Sequence, residues 1–355
     1  MPYQRELLFA TEAVRKASLL TKKIQRAMLR DHESPLIKKD HSPVTLGDYS
    51  AQAIIINAIK VNFPQDEIIA EEDTTDLRDS FLERILTELR TGDDLYNKLG
   101  RKDIEFTNSD YPLTDINDLR KIIDLGNSKG GEKGRFWSID PIDGTKGFVR
   151  GQQFAVCLGL IVDGSPVLGV IGCPNLRFSE FGDKDITEDD SGYIFKALSN
   201  CGTTYSPTLA DDWRTAKCNV VTDTSKMTSL ESYEKSHSSR ETQQQIKSKL
   251  QITRTFYLDS QTKYCLLAAG VADLYLRLPK NNGYQEKIWD HAPGSVILHE
   301  AGGVVSDALS GDQLDFSRGR YLYSNGIVAS CGGPALHRRI VDVSSDAMKS
   351  LTRPQ

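Results

Sequence analysis

Residues 136–148, FWSIDPIDGTKGF, carry the side chains best suited to chemistry. Asp140 and Asp143 stand three positions apart at the end of an apolar run, Phe136, Trp137 and Ile139, that reads as a strand. Pro141 lies between them; it has no N–H to donate and fixes its own φ, so the strand is expected to stop there. Gly144 gives room for a sharp turn, and Thr145 is positioned to cap a helix starting near Lys146. Two carboxylates this close repel one another, and a small hard cation between them relieves the repulsion; oxygen-only ligands point to Mg²⁺. The free N–H groups of the helix start suit an anion. An isolated pair of acids at this spacing is more often a solvated turn with a helix cap. The other acids of the chain decide the matter.

Asp48 falls in the first turn of a helix within SPVTLGDYSAQAIIINAI, whose apolar face is Ile54, Ile55, Ala58 and Ile59. Glu71 heads the acidic run that follows a short buried strand at 68–70. Asp290, after Trp289, opens a helix that closes on Glu300-Ala301-Gly302-Gly303. Singly, Asp48 and Asp290 are what a helix dipole or an N-cap prefers. Together with Glu71, Asp140 and Asp143 they make five acids, each at an element boundary. That is the ligand supply for two or three Mg²⁺ ions in one pocket.

The elements that must position these acids follow from periodicity. Leu7, Leu8, Ala10, Val14, Ala17, Leu20 and Ile24 recur at helical spacing and predict one long packing helix over 5–28. Residues 74–134 read as an insertion between two strands. It holds a helix opened by a Ser80…Glu83 box, a second helix over 116–125 ending at Gly126, and a basic glycine-rich loop. The run 153–174 is a hairpin turning at Asp163-Gly164, followed by strands over 192–198 and 203–206. From about residue 210 strands and helices alternate. Strands are expected at 218–222, 254–258, 273–278 and 303–307, with helices at 239–250 (boxed by Ser238…Glu241), 261–269 and 291–301. That alternation predicts an α/β part with a largely parallel sheet. The division expected is an α+β domain over 1–209 carrying most metal ligands and an α/β domain over 210–355 carrying the last one.

Composition narrows the function classes. The 355 residues carry a net charge of -5 and no sustained basic run, which argues against a polymeric nucleic acid as partner. Six scattered cysteines without a CxxC pair read as reduced, mostly buried thiols in a cytoplasmic protein. The longest apolar stretch, CLLAAGVA, is too short to span a bilayer, so no membrane role is expected.

GDYSAQ, the acidic pair after a strand, DPIDGT and WDHAPG…HEAGG together resemble the lithium-sensitive, Mg²⁺-dependent phosphatases related to inositol monophosphatase. SPVTLGDYSAQAIIINAIK, GRFWSIDPIDGTKGF, KSHSSRE, LDSQTKYCLLAAGVADLYLRLP and YQEKIWDHA look most like the 3′(2′),5′-bisphosphate nucleotidases of the fungal type. The resemblance spans nearly the whole chain. It implies a five-layer αβαβα sandwich of the inositol monophosphatase and fructose-1,6-bisphosphatase type, with the site between the two sheets. It also implies that Glu71, Asp140 and the carbonyl of Ile142 bind a first Mg²⁺ and that Asp140, Asp143 and Asp290 bind a second. Asp48 and Thr145 would activate water, with Glu71 helping to hold it and a third ion. Thr145, His237, Ser260, Lys263, Arg277 and Asp290 would contact the nucleotide, with Lys263 and Arg277 available to a second phosphate.

The implied reaction is removal of the 3′-phosphate of 3′-phosphoadenosine 5′-phosphate, with 3′-phosphoadenylyl sulfate as a second substrate. The implied setting is sulfate assimilation and salt tolerance, with inhibition by Li⁺ and Na⁺ and a monomeric enzyme. An inositol polyphosphate 1-phosphatase shares every ligand, and a non-catalytic nucleotide sensor is the alternative from another class; a water-activating Asp48–Thr145 pair argues against the sensor. Ala70 stands where the family has Gly before the acidic pair, and Pro293 where it has a small residue after WDxA. Neither change removes a ligand, and Pro293 falls in the first helical turn, where its missing N–H does little harm.

Overall fold

A computed structural model describes residues 2–38, 42–182, 190–234, 238–278 and 285–351. Helix α1 (Gln4–Arg30) and a two-stranded ribbon, β1 (Leu36–Ile37) and β2 (Pro43–Val44), lead into α2 (Leu46–Asn62) and strand β3 (Glu67–Ala70). Helices α3 (Asp79–Asn97) and α4 (Ile116–Asp124) precede β4 (Arg135–Asp143) and the short α5 (Thr145–Val149). Strands β5 (Ala155–Val162), β6 (Ser165–Cys173), β7 (Tyr193–Leu198), β8 (Thr203–Pro207) and β9 (Arg214–Ala216) complete a seven-stranded sheet in the order β3-β4-β5-β6-β7-β8-β9. Only the β3–β4 pair is parallel; the rest is an antiparallel meander.

The second half supplies β10 (Thr228–Glu231), α6 (Arg240–Leu250), β11 (Arg254–Tyr257), α7 (Thr262–Ala268), β12 (Leu274–Arg277), α8 (Ala292–Glu300), β13 (Val304–Asp307), β14 (Ile327–Ser330) and α9 (Gly333–Leu351). Its five strands order as β11-β10-β12-β14-β13. The sheet is mixed: β10 runs parallel to β11 and β12, whereas β14 runs antiparallel to β12 and β13. The largely parallel sheet expected from the alternation is therefore only half realised, because β13 and β14 close the sheet as antiparallel neighbours.

Both faces of the first sheet are covered, which is why its strands read as continuous apolar runs rather than clean alternations. Val156, Leu158 and Leu160 of β5 join the core under α1 and α2, while Ala155 and Cys157 face a second core shared with α7, α8, β12 and β14. Ile246 and Leu250 of α6 and Ile340 of α9 cover the outer face of the second sheet with Leu274, Leu276 and Val328. The layers are thus helices, seven strands, helices, five strands, helices. The central helix layer comes close enough to the first sheet to require glycine there: a Cβ on Gly169 would stand 2.3 Å from the Pro293 carbonyl oxygen.

Local departures from the sequence reading have local causes. In α1 the core face is Phe9, Ala10, Ala13, Val14, Ala17, Leu20 and Ile24, and Leu8 is exposed. The same helix buries Glu12 and Arg15, which pair with each other and reach Tyr96, Arg101 and Asp211. Helix α3 starts one residue before Ser80 and has no side-chain cap, so the expected box is absent. Helix α6 is capped by Ser239, which accepts from the Thr242 N–H; Ser238 instead accepts from Leu278 N at 2.9 Å. Residues 218–222 form no strand, and Val220 is almost fully exposed. The Asp163-Gly164 turn is as expected, with φ of 47° and 72°. No helix among the described residues is long and apolar enough to cross a membrane.

Candidate active site

Strand β4 does not stop at Pro141. It pairs with β5 through Asp140↔Cys157 and resumes at Asp143↔Ala155, with a bulge between. The bulge absorbs the missing N–H of Pro141 and sets Asp140 and Asp143 on a bent strand end. Gly144 then turns at φ 88° as the residue preceding α5. Thr145 does not cap this helix. Its hydroxyl lies 3.2 Å from the Ile142 carbonyl and 3.4 Å from Asp48 Oδ1.

Asp48 reaches that position because Thr45 fixes its other oxygen. The Thr45 N–H and hydroxyl both donate to Asp48 Oδ2 at 2.7 Å, closing a capping box at the start of α2. Burial, reinforced by the Glu71 carboxylate, raises Asp48 to about 7, against the Thr45 hydrogen bonds and the Lys38 charge. A carboxylate with one oxygen anchored and the other beside a hydroxyl is poised as a proton acceptor near neutral pH.

The acids converge on Asp140. Burial lifts its carboxyl well above the ordinary range, and the repulsion of Glu71, Asp143, Asp290 and Asp48 adds to it in that order. Asp143 rises to about 6 through burial, opposed by Lys263, the Gln261 N–H and Arg277. Asp290 is also pushed well up, by burial and then by Glu286, with Asp143 and Glu71 contributing and Arg277 opposing. All five predicted acids therefore share one electrostatic site, although they come from α2, the ends of β3 and β4, and the turn at Ile288–Asp290. Asp140 Oδ1 is buried without a hydrogen-bond partner. A buried, unpartnered carboxylate oxygen among four further carboxylates is a donor set that fits a hard divalent cation.

A tighter trio lies at the edge of the site: ligand atoms of Glu286, Asp290 and His291 lie within 4.8 Å of one another. Its hydrogen bonds make it a support rather than a separate metal centre. Glu286 accepts from Arg277 Nε at 2.8 Å and pairs with His291 Nε2 at 3.2 Å, and His291 Nδ1 meets the Tyr264 hydroxyl at 2.9 Å. Although burial alone would raise it, Arg277 and His291 bring Glu286 down to about 2. Contrary to the expectation from sequence, Asp290 does not cap α8; His291 occupies that place, and Asp290 accepts from Lys287 N within its own turn.

On the substrate side, Lys263 is not on a solvated helix face. It is 3 % exposed, its ammonium donates to the Leu258 carbonyl at 3.2 Å, and burial lowers it to about 8 against the pull of Asp259 and Asp143. Ser260 abuts Gly144, where a Cβ would stand 3.1 Å from that of Ser260, and its hydroxyl donates to Thr262. Arg277 is brought to the site but is paired with Glu286. His237 lies outside the described residues. The sequence reading misses Lys38, which bridges Glu71 at 3.3 Å and Glu72, and misses Gln261, whose N–H donates to Asp143. Lys38 sits in a polar loop with no periodicity to mark it. Gln261 lies within the family-like stretch LDSQTKY, yet an uncharged amide gives no charge signal.

The inositol monophosphatase family model matches residues 3–349. Among curated proteins, 3′(2′),5′-bisphosphate nucleotidase 2 of Candida albicans is 44% identical, covering 98% of this chain and 98% of that protein. The 3′(2′),5′-bisphosphate nucleotidase of Emericella nidulans is 41% identical over 93% of this chain and 95% of its own length. The rice protein of the same name is 38% identical over 93% and 91%. Among solved structures, an inositol monophosphatase of Thermotoga maritima superposes with a TM-score of 0.61 at 19% identity, covering 98% of this chain and 99% of that one. That likeness shows the shared fold.

Proposed function

The chain belongs to the inositol monophosphatase family, and on that premise we propose that it is a Mg²⁺-dependent 3′(2′),5′-bisphosphate nucleotidase. It removes the 3′-phosphate of 3′-phosphoadenosine 5′-phosphate, leaving AMP and phosphate, and acts likewise on 3′-phosphoadenylyl sulfate. The observation that carries the reading is the convergence of four further acids on Asp140, whose Oδ1 is unpartnered, beside the Asp48–Thr145 pair. The substrate rests on relatives at 38–44% identity that bear this activity in their names.

Glu71, Asp140, the Ile142 carbonyl, Asp143 and Asp290 are the groups we assign to Mg²⁺. When bound, the metal supplies positive charge at the attacking and leaving oxygens of an in-line displacement and acidifies water. Thr145 accepts the proton of the attacking water as its own passes toward Asp48 Oδ1; the two Thr45 bonds keep Asp48 Oδ2 out of the exchange. Backbone N–H groups at Gly144 and Thr145 hold the phosphate. Lys263 and Arg277 serve the second phosphate, with Ser260 and His237 on the nucleoside side. A doubly charged anion beside Lys263 stabilises the positive charge that burial disfavours.

Phosphate release by the purified chain tests this directly, with 3′-phosphoadenosine 5′-phosphate, 5′-AMP and inositol 1,4-bisphosphate compared in Mg²⁺ and in chelator. Turnover of the bisphosphate nucleotide in Mg²⁺ alone is the expected result. Preference for the inositol bisphosphate would move the chain to the polyphosphate 1-phosphatases, and binding without turnover would make it a sensor.

A further inference from the structure

Gln261 is 3 % exposed and lies between the two turns that carry Asp143 and Asp290. Its main-chain N–H donates to Asp143 Oδ2. Its side-chain Nε2 donates to the Trp289 carbonyl at 2.8 Å, and its Oε1 accepts from Gly294 N at 3.2 Å. One residue thus grips a carboxylate on the first sheet, the peptide immediately before Asp290, and the first turn of α8. The turn that presents it is fixed from several sides. Ser260 holds φ 78°, a conformation side chains rarely adopt and retain only where the surroundings impose it. Gly144 allows the turn to close in, and Asp259 pairs with Arg150 and accepts from Glu234 N at 3.2 Å.

We infer that Gln261 is the positioning residue that brings the Asp143 and Asp290 carboxylates, one at the end of β4 and the other on the turn Ile288–Asp290, into one divalent-cation site. The inference rests on the reading of these two acids as Mg²⁺ ligands. Gln261 itself touches no reacting atom; it acts through the groups it orients. Groups that orient metal ligands typically alter affinity by about 10–100-fold when removed.

The test is Mn²⁺ binding to the purified full chain without substrate, read as free Mn²⁺ by electron paramagnetic resonance. It compares wild type with Gln261→Met, which keeps the length but loses both side-chain bonds. Gln261→Asn, which keeps the amide but falls short of bridging both partners, serves if the Met variant fails to fold. The expected result is a Kd for Mn²⁺ raised by about 10–100-fold. The Mg²⁺ concentration giving half-maximal phosphate release should rise in parallel, with the rate recovering as Mg²⁺ increases. A merely structural role would lower the melting temperature and leave the Mn²⁺ Kd unmoved. An unchanged Kd in a folded variant, or a rate loss that Mg²⁺ does not recover, overturns the inference alone. Failure of the wild-type chain to bind Mn²⁺ overturns the functional reading and the inference with it.

Discussion

Asp140 is held at the point where four other carboxylates meet, so the metal-free site is self-repelling. Removing one acid should therefore stabilise the metal-free fold while weakening metal binding. For Asp143→Asn and Asp290→Asn we expect the melting temperature in chelator to equal or exceed that of wild type. The stabilisation that Mg²⁺ confers on wild type should shrink, because the stabilisation a bound ligand confers grows with the logarithm of its affinity. Phosphate release should fall by roughly 10²-fold or more, since a ligand itself matters at least as much as a group orienting one. Thermal melts with and without Mg²⁺, run beside rate measurements, check all three; full activity in either variant would remove that acid from the metal site. The Asp48–Thr145 pair makes a different demand. Thr145→Ala and Asp48→Asn should each lower kcat by roughly 10²–10⁴, the usual worth of a positioned proton acceptor, with KM little changed. Groups acting as a unit are non-additive, so the double variant should be little worse than either single one. Fully additive losses would show two independent roles.

At the scale of elements, the second sheet is tied to its outer helix by one buried histidine. His337 of α9 hydrogen-bonds Ser306 of β13 and Ser330 of β14, each at 2.8 Å, and burial lowers it to about 4. Between pH 6.5 and that value the unfolded chain takes up a proton that the folded chain refuses. Stability from this group is thus intact above about pH 6.5 and lost as the pH falls toward 4. The loss amounts to roughly 3 kcal/mol at most, at about 1.4 kcal/mol per tenfold change in proton affinity. Denaturation of wild type and His337→Asn at several pH values should show the wild type falling more steeply through this window. Parallel curves would show that His337 does not titrate with folding. The active-site elements follow the same logic of imposed geometry: the β4 bulge, not the end of the strand, aims Asp140 and Asp143.

At the scale of the whole molecule, the site is a seam. Asp48, Glu71, Asp140 and Asp143 belong to the first sheet and its helices, Arg277 ends β12 of the second, and Lys263 and Asp290 lie on α7 and the turn before α8, in the helix layer between them. A cation held across such a seam by Asp290 must be small and must bring enough charge for the leaving oxygen. Li⁺ matches Mg²⁺ in size and takes the same oxygen ligands but has half the charge, so it can fill the site without supporting the chemistry. Occupied after the ester bond breaks, the site would also retain phosphate. We expect Li⁺ inhibition to be uncompetitive or mixed toward the nucleotide and to deepen as substrate rises. Initial rates over a grid of Li⁺ and nucleotide concentrations at fixed Mg²⁺ decide it; purely competitive inhibition counts against this account.

The sequence by itself determined most of the helices, the hairpin and the identity of the acids. Those features are written locally, in periodic apolar faces, in Asp163-Gly164, and in carboxylates set beside Pro141 and Gly144. Local pattern fails where a strand is sustained by partners far along the chain. Strand β10, TSLE, has one apolar residue and is nonetheless buried throughout, because Glu231 pairs with Lys247 and both neighbours hydrogen-bond to the strand. Strand β14 and helix α9 carry no signal read above, and 218–222 has a strand-like pattern though it runs as irregular chain. Only the tertiary structure decided that Lys263 is buried, that Arg277 is already paired with Glu286, that Lys38 reaches Glu71, and that Gln261 joins the two ligand-bearing turns. Periodicity records which face of an element is apolar. It does not record which polar groups meet when elements close on one another, because those partners lie on different elements, as far apart in the chain as Gln261 and Asp143.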